Sequence, residues 1–365
     1  MKITCTKDNL LSALKKSVCA VSPRPVLPVM SNIKMEAKED KLILTTTDNE
    51  LTIKTWLNGL VEEEGTTTLP AKKLLQIISI LRAGDITIET KENHQSILTG
   101  QQTTYKINGL SAEDYPATDN EGDCDWVLEY KTMDFVRAFG KVSYAKSQDE
   151  NRKQLNGVDL NIRSGLLTIA ATDGRRLALL EQKLEASCKE GDYIIPSKAS
   201  TELAKCMDTT AETIRVEFRE KSISFITGNT VLSTRKVEGT YPDFRRVIPE
   251  NSDYKVSISR QTLLDIITRV ALIVEDNAGS IKLTFTPGNM LISASNPEAG
   301  EAKENVEINY EGEDEVNVAF NPYFFLEPLK VMDCDMVNIE FGKQYNPVKL
   351  TGEEGFLYML MPMRQ

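Results

Sequence analysis

Apolar and polar positions along this chain follow two periods, and the two alternate in a fixed order. Helical spacing marks KDNLLSALKKSV from Lys7, KTMDFVRAFGKVSYAK from Lys131 and SRQTLLDIITRV from Ser259. In the second, Phe135, Val136, Phe139 and Val142 share one face; in the third, Leu263, Leu264, Ile267 and Val270 do. A further set of helical patterns opens near a proline, whose missing N–H is one that a first helical turn leaves unbonded anyway. These read PAKKLLQIISILRAG from Pro70, PSKASTELAKCMDTT from Pro196 and NPYFFLEPLKVMD from Asn321. Pro70, Pro196 and Pro322 are spaced by 126 positions. Pro328 falls inside the third pattern and predicts a kink or break there.

Strand patterns separate these helices. Between the first and second helix of each set lie LILTTTDNELTIKT from Leu42, LLTIAATDGRRLALLE from Leu166 and MLISASNPEAGEAKENVEI from Met290. Asp48, Asp173 and Asn296 occupy the same turn in each, 125 and 123 positions apart. After the second helix come alternating segments with Gly and Asn turns, starting at Ile86, Ile214 and Val337, which read as hairpins. Four features recurring at intervals of 123–128 residues in one order predict an internal repeat. The fold class is α+β: three domains of one architecture, each with two helices packed on small antiparallel sheets. The domains are placed at 1–121, 122–250 and 251–365, with linkers at DNEGDCD (Asp119–Asp125) and around Pro249–Asp253.

A length of 365 residues and a hydrophobic content of 41% suit two or three packed domains. No apolar run approaches the ~20 residues that cross a bilayer, and the first residues carry no export pattern. The expectation is a cytoplasmic protein with no membrane partner. Cys5, Cys19, Cys124, Cys188, Cys206 and Cys334 are scattered without a CxxC pair, so they read as reduced thiols. His94 is the single histidine and sits in a hairpin pattern, as a surface residue. Zinc sites draw on clustered Cys or His, so no metal site is expected. GxxxxGK[ST], GxSxG and HExxH patterns are missing from the sequence. The pairs Asp123/Asp125 and Asp333/Asp335 could in principle hold Mg²⁺ but read more simply as solvated loop charges, and Glu62–Glu64 as a turn. Nothing here points to catalytic residues or a cofactor.

The net charge of −11 argues against nucleic-acid binding when taken whole. Its distribution changes that reading. The six helical segments together carry +9, which leaves −20 for the strands and loops. If the helices share one face of an assembly, that face attracts phosphate. Contact would be weak and blind to sequence, through the backbone alone. Ordinary solvated helix faces carry the same residue types, so charge alone does not choose.

RPVLPVMSNI (Arg24–Ile33), LNGVDLNI (Leu155–Ile162), ATDGRRLAL (Ala171–Leu179), YPDFRRVIP (Tyr241–Pro249) and YMLMPMRQ (Tyr358–Gln365) carry a resemblance along the whole chain. It resembles the bacterial DNA polymerase III beta subunit, the β sliding clamp family. The resemblance implies a non-catalytic processivity factor: a head-to-tail homodimer closing as a ring around duplex DNA, helices lining the hole, acting at the nucleoid. Closed head-to-tail contacts give a ring. It also implies a hydrophobic partner-peptide pocket between the second and third domains. Carried over, that pocket is Leu155, Thr172, Gly174, Arg175, Arg176, Leu177, Pro242, Arg246, Val247, Pro347, Met361, Pro362, Met363 and Arg364. Flexible Met suits a surface that accepts several peptides, and rim arginines would receive acidic or carboxamide groups. The apolar members equally fit an ordinary core. The implied partners are the polymerase III alpha subunit, the clamp loader delta subunit, and repair or translesion polymerases.

DNA contacts carried over in this way fall on Arg24, Arg152 and Lys153, with Lys198 at a helix start as a further candidate. Dimer contacts fall on Lys73, Ile107, Leu272 and Ile273. The family pattern sets several arginines on a first-domain strand against acidic residues of the third. This chain has Gln95, Gln102 and Thr104 there, facing Glu298, Glu301 and Glu304, with Lys91 and Lys106 as replacements. Two other readings stand against the ring: a three-repeat scaffold for protein partners, and a metal-dependent nuclease using loop carboxylates.

Overall fold

A computed structural model of the chain describes residues 1–22, 24–118, 123–184, 188–274, 279–310, 312–342 and 346–363. The first repeat runs β1 (Lys2–Thr6), α1 (Lys7–Ser17), β2 (Asn32–Lys38), β3 (Lys41–Thr47), β4 (Leu51–Asn58), β5 (Leu60–Glu63), β6 (Gly65–Pro70), α2 (Ala71–Ile80), β7 (Asp85–Thr90), β8 (Gln95–Thr99) and β9 (Thr104–Asn108). The second runs β10 (Trp126–Lys131), α3 (Thr132–Val142), β11 (Gly157–Arg163), β12 (Leu166–Thr172), β13 (Arg176–Lys183), β14 (Gly191–Pro196), α4 (Ser197–Cys206), β15 (Thr213–Phe218), β16 (Ser222–Thr227) and β17 (Thr230–Arg235). The third runs β18 (Tyr254–Ser259), α5 (Arg260–Val270), β19 (Ile281–Thr286), β20 (Asn289–Asn296), β21 (Gly300–Glu307), β22 (Val316–Phe320), α6 (Pro322–Val331), β23 (Met336–Phe341), β24 (Val348–Thr351) and β25 (Phe356–Leu360). A 3-10 turn follows the first helix of each repeat, at Val18–Ala20, Ser143–Ala145 and Ala271–Ile273. The order of elements is the one the sequence periods predict, and two helices per repeat are present as expected.

Phe135, Val136, Phe139 and Val142 of α3 are all buried. In α5 the buried stripe is Leu263, Ile266, Ile267 and Val270, so Ile266 takes the place expected of Leu264, which is half-buried. That stripe is the i, i+3, i+4, i+7 face of one helix. α6 runs on through Pro328, so of the expected kink or break the break is absent. Proline at 328 leaves the Phe324 carbonyl without its helical donor. The Tyr358 hydroxyl donates to that carbonyl at 2.8 Å and so replaces the lost bond. Glu62 and Glu63 belong to β5 rather than to a turn: β5 pairs with β1, Lys2 bonds Glu62 at 2.7 Å, and the N-terminal amine reaches Glu63 at 3.3 Å.

Among the described residues four antiparallel sheets result, with orders β5-β1-β7-β8-β9, β10-β15-β16-β17-β4-β3-β2-β6, β14-β11-β12-β13-β25-β24-β23-β18 and β21-β20-β19-β22. Each eight-stranded sheet joins two repeats edge to edge. In both, the last strand of one repeat pairs with the strand after the Asp turn of the preceding repeat: β17 with β4, and β25 with β13.

The chain forms two compact units, residues 1–137 with 198–236, and residues 138–197 with 237–365. The first has a core that includes Ile3, Leu10, Leu14, Met35, Leu44, Leu74, Ile88 and Leu98. The second buries the stacked pair Phe285 and Phe341, with Phe320 against Phe325. Among the described residues, no helix is long and apolar enough to cross a membrane.

Candidate functional site

Within the second unit, Thr172, Gly174, Arg175, Arg176, Leu177, Pro347 and Met361, carried over as pocket residues, gather where β13 meets β25. The turn entering β13 is built by Asp173, whose Oδ1 accepts the backbone N–H of Arg175 at 2.8 Å and of Arg176 at 3.1 Å. Gly174 occupies the left-handed region at φ +87°, where a side chain would be strained. Its N–H donates to the Thr172 hydroxyl, which itself donates to the Arg176 carbonyl at 2.5 Å. On the other side of the seam, the Met361 N–H donates to the Arg175 carbonyl at 2.8 Å. Leu177 opposes Met359, and Val348, the residue after Pro347, opposes Leu360. The turn, the C-terminal segment and Pro347 are therefore fixed to one sheet end.

A 3-10 turn at Phe244–Val247 packs over this seam. Phe244 and Ile248 rest on the buried cluster Ala170, Leu177, Leu179 and Met359. That leaves Pro242, Arg246 and Val247 facing outward, with Val247 54% exposed. Met361 is 42% exposed, and Leu155, Pro347, Pro362 and Met363 are half-buried. Exposed branched and thioether side chains on a rigid seam are an apolar surface that solvent does not favour. Arg175 and Arg246 are the exposed cations at its edge, Arg246 bonded to Asp243 at 2.8 Å. Arg364 lies outside the described residues.

Two of the expected contact residues are structural instead. Leu177 is buried in the floor. Arg176 is 7% exposed and cannot act as a rim cation. It bonds Asp173 at 3.0 Å, pairs with Glu327, donates to the Tyr144 carbonyl at 2.7 Å, and lies 4.2 Å from the Phe324 ring centre. A buried guanidinium needs such partners, so its charge is consumed inside. Phe244, Ile248 and Met359 were missed by sequence reasoning. They lie in the same two motifs but look like core, which is how they act.

A cavity of about 660 Å³ lies nearby and shares only Pro242 with the expected pocket; its other lining residues include Asp159, Asp192, Tyr241 and Arg245. Asp159 is 3% exposed, and its Oδ1 has no hydrogen-bond partner among the described residues. Burial first, and then Asp192, push its pKa up to about 7.

The residues carried over for DNA separate into two groups. Arg24, Arg152 and Lys153 are exposed, Arg152 lying 3.6 Å from Asp149. Lys198 is pinned in the first unit, paired with Asp48 and donating to the Ala20 carbonyl at 3.0 Å. The helical charge count is also overstated as a measure of surface charge. Lys141 is held by Asp333 and Glu353, and Arg260 by the carbonyls of Cys334 and Leu329, while Arg269 is exposed and paired with Glu304. Lys15, Lys72, Lys73, Arg82, Lys131, Arg137 and Lys330 are exposed.

Among the dimer residues, Leu272 is 81% exposed, Ile273 half-buried and Lys73 exposed. Ile107 is corrected: it is 7% exposed and part of the first unit's core, because it points inward from β9. Ile80, not singled out by the sequence, is 76% exposed at the end of α2. It lines a cavity of about 290 Å³ with Leu81, Gln102 and Tyr105 of β9. An apolar residue closing an amphipathic helix gave no signal of its own.

Sequence profiles of the DNA polymerase III beta subunit match this chain throughout: the N-terminal domain over residues 1–119, the central domain over 129–243 and the C-terminal domain over 245–364. The beta sliding clamp of Staphylococcus aureus strain Mu50 is 31% identical over 376 residues, covering 100% of this chain and 99% of that protein. That of Chlamydia muridarum is 29% identical over 366 residues, with the same coverages. Among solved structures, the DNA polymerase sliding clamp of Bacillus subtilis superposes with a TM-score of 0.93 at 26% identity, covering 100% of this chain and 99% of that one. The DNA polymerase III beta subunit of Pseudomonas aeruginosa gives 0.92 at 28%, with full coverage of both.

Proposed function

Because this chain belongs to the DNA polymerase III beta subunit family, and is a processivity clamp for that polymerase, we propose that two copies close head to tail into a ring around duplex DNA, with the β13–β25 surface as the tether for partners. The ring reading rests on one observation. Inside the chain, the last strand of a repeat pairs with the post-turn strand of the preceding one, twice. Applied once more, the rule leaves β9, the last strand of the first repeat, and β21, the post-turn strand of the third. Both stand at sheet edges. Unpaired edges of this kind are templates for another chain. Supplied by two copies, β9 and β21 meet twice and close the assembly.

The side chains follow the same rule. Cys19, in the 3-10 turn after α1, lies against Cys206 at the end of α4. The corresponding residues at the remaining junction are Leu272 and Ile80, both exposed. The turn that carries Leu272 packs against β20 and β21. The cavity beside Ile80 and Tyr105 would receive Leu272 of a second copy. Lys106 on β9 and Glu301, Glu304 and Glu307 on β21 are of opposite sign, although Glu301 and Glu304 are also bonded by Lys303 and Arg269. Electrostatic support is therefore modest, and apolar contact carries the closure.

The protein acts without catalysis, in the cytoplasm at the nucleoid. The apolar seam with Val247, Met361 and Leu155 takes peptides of the polymerase alpha subunit, the loader delta subunit and repair or translesion polymerases in turn. Arg24, Arg152 and Lys153 touch DNA phosphates, and Lys198 holds the fold. We place the domains at 1–121, 122–250 and 251–365. The first of these boundaries lies outside the described residues, and the second falls between the Phe244–Val247 turn and β18. The test is sedimentation of Leu272→Asp. A folded monomer is expected. A dimer that persists with wild-type affinity would refute the closure.

A further inference from the structure

The repeat hides a second chemistry in the first unit. Cys19 and Cys206 are 187 positions apart in sequence. Folding brings their sulfurs and a carboxylate oxygen of Glu202 within 4.8 Å of one another. Glu202 and Cys206 are one helical turn apart on α4 and so share a face. Cys206 is fully buried, and Cys19 is half-buried at the mouth of the cluster.

We propose that Cys19, Cys206 and Glu202 bind a thiophilic divalent cation of the zinc class, with water as the fourth ligand. Two thiolates and a carboxylate select zinc over magnesium or calcium, which prefer oxygen. Zinc–sulfur bonds of about 2.3 Å put two sulfurs roughly 3.8 Å apart on a tetrahedral ion, a separation this cluster permits. On binding, each thiol gives its proton to solvent, and the two S–H bonds are replaced by two S–metal bonds with no change in oxidation state.

The surroundings suit that exchange. With a 2+ ion the ligand set carries one net negative charge. The Lys205 ammonium bonds Glu202 at 2.9 Å and offsets it. A hydrogen-bonded cation behind a ligating carboxylate also fixes its orientation. The thiols meet the carbonyls of Lys15 and Lys16 at 3.5 Å, which locates both sulfurs at the end of α1. A bound ion would staple the end of α1 to α4, at the place where the dimer junction has only Leu272 and Ile80.

The experiment titrates the reduced full-length chain with Co²⁺ and then with Zn²⁺. A thiolate-to-cobalt charge-transfer band with tetrahedral visible bands is expected at one ion per chain, removed by one equivalent of Zn²⁺. Cys19→Ser, at the accessible ligand, is expected to weaken Zn²⁺ binding at least about tenfold with the melting curve of the metal-free protein unchanged. Cys124→Ser is expected to bind as wild type and serves as the control. Absence of the charge-transfer band in the reduced wild type overturns the site. So does a band that survives both Cys19→Ser and Glu202→Gln at full affinity.

Discussion

Asp48, Asp173 and Asn296 do one job in three places. Each accepts two backbone N–H groups with its Oδ1: Glu50 and Leu51, Arg175 and Arg176, Glu298 and Ala299. The aspartates have a second oxygen, which binds Lys198 in one case and Arg176 in the other. Asn296 has an amide there and takes no cation in that way. Arg176→Met should therefore remove more than a contact: it leaves Asp173 and Glu327 uncompensated, at a cost of about 3 kcal/mol in urea unfolding, Glu327 being partly solvated. Asp159 works in the opposite sense. Its pKa is raised to about 7, so the folded state keeps the proton longer than the unfolded chain does. Stability from this group is full below the ordinary carboxylate range and falls as pH rises from about 4 to about 7. Asp159→Asn should flatten that slope and raise the melting temperature at pH 8 relative to wild type. An unchanged pH profile would contradict the assignment.

At the scale of elements, the period and order of helices and strands were legible because each repeat buries the same faces. Alternation and proline placement were enough to place all six helices. What the sequence concealed came from contacts between distant segments. Pro328 reads as a break because the hydroxyl that rescues its helix is Tyr358, 30 positions on. Tyr358→Phe should leave the part-buried Phe324 carbonyl without this donor, costing about 1 kcal/mol. Arg176 and Leu177 read as pocket residues because their motif is the pocket's, yet one is consumed by buried partners and the other by the floor. Cys19 and Cys206 looked solitary for the same reason. The tail is a separable element. β25 ends at Leu360, so removing residues 361–365 spares its pairing with β13. The truncated protein should dimerise normally and fail to bind a polymerase peptide in a calorimetric titration. Loss of the dimer would make the tail structural.

For the whole molecule, three copies of one unit leave the same two surfaces unused at the ends as they join in the middle. That follows from strand order and could not be read before the sheets were known, although the repeat itself could. The net charge misled in one direction and the helix count in the other, because some of the helical cations, Lys141, Lys198 and Arg260 among them, are engaged within the fold. Weak phosphate contact is what a sliding ring requires, since retention comes from topology and salt removes only the contacts. The most direct measurement loads the protein onto nicked circular DNA with a clamp loader and ATP, then washes at high salt before and after linearising the circle. Retention on the circle with release from the linear form is the predicted result. Equal loss from both forms would contradict a closed ring.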